Sequence, residues 1–437
     1  MFRKETEFQE TEIGDFPKDW EVRRLNEIAE LQRGLSYSGR EKSKDEIPDG
    51  YLFLTLNSIK EGGGLKENGW TWIKSNKLKE RHFVKEGDLV IANTEQSKDG
   101  SLIGSPAIVH FPEWYKKDKA VFSMDLSKLL LKVSNVDVNY LFYYLSFVQP
   151  IARKYHTGTN VWHLNLDSWA KDLLIPLPPL DEQKRIAGVL SMIDSGIETV
   201  DKAIAKLERM KKTLLNKLLT GRIRVREENG KLTFYKESEF QDTEIGKTPK
   251  EWEIKRLGEL LVFGHGKRPS ELLPKGIVPV FGAGGLYGYT NTYMIDKPYV
   301  LILARVGVGS VGKVYLARGR VWVTDNAIYA YSRQTESVTA YVYYWLQFNR
   351  KLIEKHVKRS AGGYAILTLA SLKNITIALP PQNEQKNIVE TLNAVNNIIE
   401  IYEKEKERLL RVKKGLMGLL LTGKIRVVDS KIDKSYE

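Results

Sequence analysis

The chain has 437 residues, 42% of them apolar and 28% charged. That length predicts two or three domains with separate cores, and the mixed charge excludes a wholly disordered chain. No apolar run approaches the ~20 residues that cross a bilayer, the opening MFRKETEFQE is too polar for a signal peptide, and the lack of cysteine excludes disulfides, zinc knuckles, iron–sulfur clusters and thiol nucleophiles. A soluble cytoplasmic protein is expected, and its net charge of +13 favours a polyanionic partner.

The chain opens on a segment that it later repeats. Residues 8–25, FQETEIGDFPKDWEVRRL, return at 240–257 as FQDTEIGKTPKEWEIKRL, identical at 12 of 18 positions. Next come strand candidates at 51–56 (YLFLTL) and 88–93 (DLVIAN), rich in branched and aromatic residues. A short aromatic helix is expected over 138–147, its tyrosines facing a core because they recur at helical spacing.

LPPLDEQKRIA (177–187) then introduces a long helix. Prolines stop what precedes them and suit a helix start. The apolar seam runs Ile186, Leu190, Ile193, Ile197, Val200, Ile204, Leu207, Leu214 and Leu218, in alternating steps of four and three. The helix closes on LLTGRIRV (218–225), where Gly221 suits the position just past a helix end.

The second copy follows the same plan. Strands are expected at 299–304 (YVLILA) and 313–317 (KVYLA), and an aromatic helix at 339–348. LPPQNEQKNIV (379–389) introduces a second long helix with seam residues Ile388, Leu392, Val395, Ile399, Tyr402, Leu409, Leu416 and Leu420, closing on LLTGKIRV (420–427) with Gly423. The interiors, 29–160 and 261–360, share only scattered patterns. Matching ends around differing middles describe one frame carrying two different readers. A helix of about 40 residues needs a partner for its apolar stripe, and the repeat supplies one. The segment after the second helix, laid against the chain's beginning, resembles the internal linker, so a pseudo-two-fold molecule with adjacent termini is expected.

Few motifs suggest chemistry. Residues 307–312, GVGSVG, fit G-x-G-x-x-G and nearly a phosphate-binding loop, but Val314 stands where a magnesium-holding Ser or Thr is required. KVYLA after them reads as a strand rather than a helix, so a glycine-rich β-hairpin is expected. The double prolines lack the preceding Asn or Asp and the following aromatic of an amino-methyltransferase site. The histidines at 82, 110, 156, 163, 265 and 356 show no metal-ligand spacing.

Two variable regions, each followed by a P-L-P-P-x-x-E-Q-K-x-I-type helix ending in L-L-T-G, with TEIGDFPKDWEVRRL and TEIGKTPKEWEIKRL at their openings, resemble the specificity subunit of type I restriction–modification systems. The resemblance covers essentially the whole chain. It implies an α+β fold in which two mixed α/β target-recognition domains are joined by two long antiparallel coiled-coil helices. The expected division is 1–178 for the first recognition domain and 179–221 for the first spacer helix. Residues 222–378 would be the linker and second recognition domain, 379–423 the second helix, and 424–437 a tail closing near the N-terminus.

It further implies a non-catalytic subunit that reads a bipartite site on double-stranded DNA. Two methyltransferase subunits and the restriction–translocation subunits would be its partners, with S-adenosylmethionine, ATP and magnesium bound by those partners and no cofactor or metal in this chain. The complex would support site-specific DNA cleavage and adenine-N6 methylation.

Base contacts are sought in polar and basic loops, since Arg and Lys pair with guanine and Asn and Gln with adenine. The candidates are Arg33, Asn93, Gln96, Lys98, His156, Thr159 and Asn160 in the first variable region. In the second they are His265, Lys267, Arg268, Arg305, Lys313, Asn326, Arg359 and Tyr364. Two alternatives stay open from the residues alone, a non-specific DNA-binding architectural protein and a coiled-coil scaffold that binds only protein; a third, a self-contained nuclease, is disfavoured by the missing motifs.

Overall fold

The computed structural model describes residues 2–97, 99–307, 309–359 and 365–428. The chain divides into two compact units, one of Met1–Thr199 with Lys406–Glu437 and one of Val200–Glu405. Both are α+β, and each has its own β-rich head and a share of both long helices.

The long helices are Leu180–Leu219 and Gln382–Leu420. Each starts directly after its proline pair and stops before Thr-Gly. Gly221 and Gly423 adopt φ +65° and +68°, the left-handed conformation that ends a helix and disfavours a side chain. In the first unit, Ile186 and Leu190 share one core with Met417, Leu420 and Leu421, Lys413 Nζ lies 2.6 Å from Asp194 Oδ1, and a Cβ on Gly196 would lie 3.8 Å from Leu409. In the second unit, Leu218 and Leu219 share a core with Ile388, Val389 and Leu392. Each unit thus pairs the beginning of one helix with the end of the other, and the pairing is antiparallel. The seam positions are buried or half-buried except Tyr402, which is 37% exposed and lies at the margin of the stripe.

Each head hangs on its helix start through an aromatic helix, Val138–Val148 or Glu336–Phe348. These tyrosines are core residues, as their spacing predicts. Tyr140 donates to Pro176 O at 2.7 Å and Tyr341 to Ala378 O at 2.9 Å. Gln183, at the start of the first long helix, accepts from Asp137 N–H at 2.8 Å and so ties the aromatic helix of that unit to the long one.

The first head contains a four-stranded sheet, ordered Pro106–Ile108, Leu89–Ala92, Leu126–Leu131, Ala29–Arg33, and a five-stranded sheet that includes Tyr51–Leu54 and Lys119–Phe122. The second has one six-stranded sheet, ordered Leu261–His265, Ala327–Ser332, Ile295–Ala304, Val314–Val323, Val278–Gly282, Gly285–Thr290. All four expected strands are present. The GVGSVG segment is the connection between antiparallel Ile295–Ala304 and Val314–Val323, and a strand, not a helix, follows it.

Short strands also close each frame. Phe2–Lys4 pairs with Ile425–Val427, Phe2 facing Val427. Ile223–Glu228 pairs with Lys231–Lys236, Val225 facing Phe234. These are the same ladder by the repeat offsets, formed once by distant segments and once by a hairpin.

Candidate nucleic-acid interface

The two heads differ in sequence, but around the candidate residues they share one backbone skeleton. In the first, Ala92 N–H donates to Ser105 O, Gly104 N–H to Ala92 O, Asn93 N–H to Asp125 O and Leu164 N–H to Asn93 O, at 2.7–2.9 Å. In the second, Ala304 N–H donates to Lys313 O, Gly312 N–H to Ala304 O, Arg305 N–H to Asn326 O and Leu367 N–H to Arg305 O, at 2.9–3.0 Å. Ser127 faces Arg33 across its ladder as Ile328 faces His265. Arg33 and His265, Asn93 and Arg305, and Asp125 and Asn326 are therefore equivalent positions. Five of these six residues carry side chains that can hydrogen-bond or pair with DNA from a surface.

In the first head, strand Thr94–Glu95 pairs with Trp162–Leu164, which pairs with His156–Thr157. This gathers Gln96, His156, Thr159 and Asn160, all exposed, around one three-stranded sheet. The His156 ring stacks on Trp162 with centroids 4.0 Å apart. Its Nδ1 lies 2.7 Å from Arg153 O. A carbonyl can only accept, so Nδ1 carries a proton.

The loop that carries Gln96 is fixed from inside. Glu95 is fully buried, and its carboxylate accepts from Leu102 N–H at 3.1 Å, Ile103 N–H at 2.9 Å and the Ser97 hydroxyl. Gln149 Nε2 donates to Gly100 O and Ile103 O at 3.1 and 2.7 Å, and Arg153 Nε to Gly100 O at 2.8 Å. Asn93 differs from its neighbours. It is 4% exposed, and its Nδ2 donates to Ser127 Oγ at 2.9 Å. This amide is an internal strut rather than a surface group. Lys98 lies outside the described residues.

In the second head, His265, Lys267, Arg268, Asn326 and Arg359 are exposed, while Arg305 and Lys313 are half-buried. Lys267 N–H donates to Val323 O at 2.8 Å, and Trp322 Nε1 donates to Lys267 O at 2.7 Å. A Cβ on Gly266 would lie 2.1 Å from Thr324 O. The basic loop is thereby pressed onto the turn that holds Asn326. Arg359 belongs to a small hairpin, Lys358–Arg359 with Ala365–Ile366, whose Ile366 bridges Val306. This matches the Thr94–His163 pairing of the first head. Tyr364 lies outside the described residues.

Trp162 and Glu95 were not singled out from sequence. The only signal for either was position, beside candidate residues on short alternating segments. Two arginines in the repeated GRIRV and GKIRV were also missed. Arg426 is paired with Glu5 (2.6 Å), Asp19 (2.7 Å) and Glu182 (2.6 Å), and Arg224 with Glu237 (2.5 Å), Glu251 (2.9 Å) and Glu384 (2.6 Å). The partners are equivalent residue by residue, and each guanidinium lies over a repeat tryptophan, Trp20 or Trp252, at 5.8 and 5.9 Å.

Among the described residues, no group of three or more His, Asp or Glu is placed to hold a metal ion, and no helix is long and apolar enough to cross a membrane.

A duplicated frame with two paired long helices and two unlike heads defines an architecture, and comparison with known proteins gives it a family. The type I restriction modification DNA specificity domain matches residues 17–209 and 249–411, and the chain belongs to that family, the specificity subunits of type I restriction–modification systems. It is 32% identical to the MjaX specificity subunit assigned to a type I restriction enzyme of Methanocaldococcus jannaschii, over 98% of both chains. It is 28% identical to the MjaVIII specificity subunit of the same organism, again over 98% of both. The fold is shared with the crystal structure of the type I S subunit from M. genitalium, at a TM-score of 0.63 and 17% identity, over 92% of this chain and 96% of that one.

Proposed function

We propose that this chain reads a bipartite sequence on double-stranded DNA, one head per half-site, and scaffolds the methyltransferase and restriction subunits of a type I complex. The observation that carries this reading is the repeated skeleton with unlike contents. Arg33 and Asp125 stand in one head where His265 and Asn326 stand in the other, and Arg305 stands where the first head has the inward-turned Asn93. A non-specific clamp has no use for two different sets of side chains in equivalent places.

In this reading the helices, 40 and 39 residues long, act as a ruler of roughly 60 Å. They hold the heads to a fixed unread gap, since DNA advances 3.4 Å per base pair along each strand. Linkage of the heads raises affinity through effective concentration. Solvent-facing apolar residues on the helices, among them Met192 at 70% and Ile401 at 65% exposure, suit docking of partner subunits. The partners supply S-adenosylmethionine, ATP and magnesium, and with them adenine-N6 methylation and cleavage.

Genome-wide mapping of methylated adenines in the host tests the reading. One bipartite motif that vanishes when this gene is deleted is expected. Adenine methylation unaffected by the deletion, together with no duplex binding by the chain plus its methyltransferase, would leave the protein-only scaffold.

A further inference from the structure

The second head carries an exposed apolar group where its sheet ends. Leu286 is 55% and Tyr287 66% exposed, on the strand Gly285–Thr290. Large apolar side chains standing free beside polar and charged groups mark an interaction site more often than single scattered ones do. Three observations connect this pair to the candidate DNA residues.

The first is position. A Cβ on Gly282 would lie 4.0 Å from the Tyr287 Cβ and 3.1 Å from Thr324 Oγ1. Thr324 in turn backs Gly266, next to Lys267, and precedes Asn326 by two residues. Tyr287 therefore stands at the same end of the sheet as Lys267 and Asn326. Gly282 faces Gly285 across the ladder, and, lying beside Tyr287, it has no side chain to cover the ring.

The second is rigidity. Tyr315 hydroxyl donates to Ala283 O at 3.3 Å, and Thr324 N–H donates to Phe281 O at 2.8 Å. The loop after Arg268 runs along the outer edge of the same strand, Leu273 and Tyr289 exchanging N–H···O bonds at 2.8 and 2.9 Å. The neighbouring strand and the far end of this one are held in this way, so the backbone that carries the pair loses little freedom on binding.

The third is charge. Lys267, Arg268, Lys275 and Lys297 outnumber Glu271, Asp296 and Asp325 in segments 267–275, 296–297 and 324–326. Asp296 already pairs with Arg320 at 3.0 Å, and Glu271 accepts from Asn291 N–H at 3.1 Å. A polyanion is the complementary partner for an apolar tip set among cations.

We propose that Leu286 and Tyr287 make apolar contact with the bases of the DNA half-site read by the second head, which rests on the reading that this head binds DNA. Arg and Lys around them hold phosphate and fix the register, and the ring and the leucine methyls pack against base surface such as a thymine methyl or an opened base step. This adds a readout element with no hydrogen bond to the polar candidates of the same head.

The test uses the full chain assembled with its methyltransferase subunits and a randomised duplex library. Wild type is expected to select a bipartite motif. Tyr287→Ala is expected to select the same first half and spacer and to lose preference at one or two adjacent positions of the second half. Its affinity for the wild-type motif should fall ~10-fold or more, with the salt dependence unchanged, because the ring neutralises no phosphate. Tyr287→Phe should retain the motif. Lys267→Ala, as a contrast, should flatten the salt dependence. The same motif and affinity from Tyr287→Ala and Leu286→Ala would overturn the proposal while leaving the DNA-reading function intact. No selected motif from the wild-type complex would overturn both. Exposure of Tyr287 makes loss of folding an unsuitable explanation, and an unchanged melting temperature checks that.

Discussion

Arg426 and Glu182 form a two-point ion pair, Nε to Oε1 at 2.8 Å and Nη2 to Oε2 at 2.6 Å, which fastens the strand after the second long helix to the first turn of the first. Arg224 and Glu384 do the same work in the other unit, at 2.6 Å. Both arginines are buried, and both gather three carboxylates. Removing either cation strands buried negative charge. Arg426→Ala and Arg224→Ala are each expected to cost about 3–5 kcal/mol, seen as a lower denaturant midpoint. A cost below about 1 kcal/mol would show that water reaches these carboxylates.

The same clusters give stability a pH dependence. Burial pushes the Glu5 and Glu237 carboxyls up, but hydrogen bonds from backbone N–H groups and from Arg426 or Arg224 outweigh it and hold both below their ordinary value. A depressed folded-state pKa adds stability above the ordinary carboxylate value of 4.5, and that stability is lost as pH falls through the folded value. Urea midpoints should therefore fall below about pH 4.5, and the arginine variants should fall less steeply.

Gly221 and Gly423 end the long helices where the chain turns onto the repeat hairpins. A Cβ would lie 2.2 Å from Pro249 Cγ in one case and 2.4 Å from Pro17 Cδ in the other. Left-handed strain and overlap add, so Gly221→Ala and Gly423→Ala are each expected to cost about 2 kcal/mol or more. Thermal melts measure this, and a neutral Gly423→Ala would show that the hairpin gives way.

Arg305→Ala separates two roles for a side chain on the shared skeleton. Base readout predicts loss of preference at one position, worth about 1–3 kcal/mol. A phosphate contact predicts uniform weakening across sequences and a smaller salt slope. Titrations on selected and random duplexes decide between them.

Removal of one heptad from each helix shortens a ruler by ~10 Å, or about three base pairs. The proposed spacer should shrink accordingly in the methylation motif. A variant complex that keeps the original gap would remove the ruler from the proposal.

Much of this molecule was legible because its strongest signals are local or repeated. Leu190, Leu218 and Leu392 lie on seams of fixed period, and burial against a partner is what such a period means. Tyr140 and Tyr341 likewise follow from helical spacing. Asn93 shows where that kind of reading stops. Its polar side chain suggested a base contact, yet Ser127, 34 residues away, consumes its amide. Glu95 was silent for the same reason, since its role comes from folding the following loop back over it. Tyr402 has the right spacing but sits at the edge of the stripe, because period fixes a face and not how far a neighbour covers it. Leu286 and Tyr287 lie in no element that the sequence marked out, and only their exposure on the folded strand sets them apart.

The asparagine and the arginine that hold equivalent slots are gripped by their main chains, not by their side chains alone. Such a slot is a socket: its main-chain bonds stay the same whichever side chain occupies it. In the proposed reading, two copies of the socket in one polypeptide would let a change of address in one half of the molecule proceed while the other half goes on delivering to the old one.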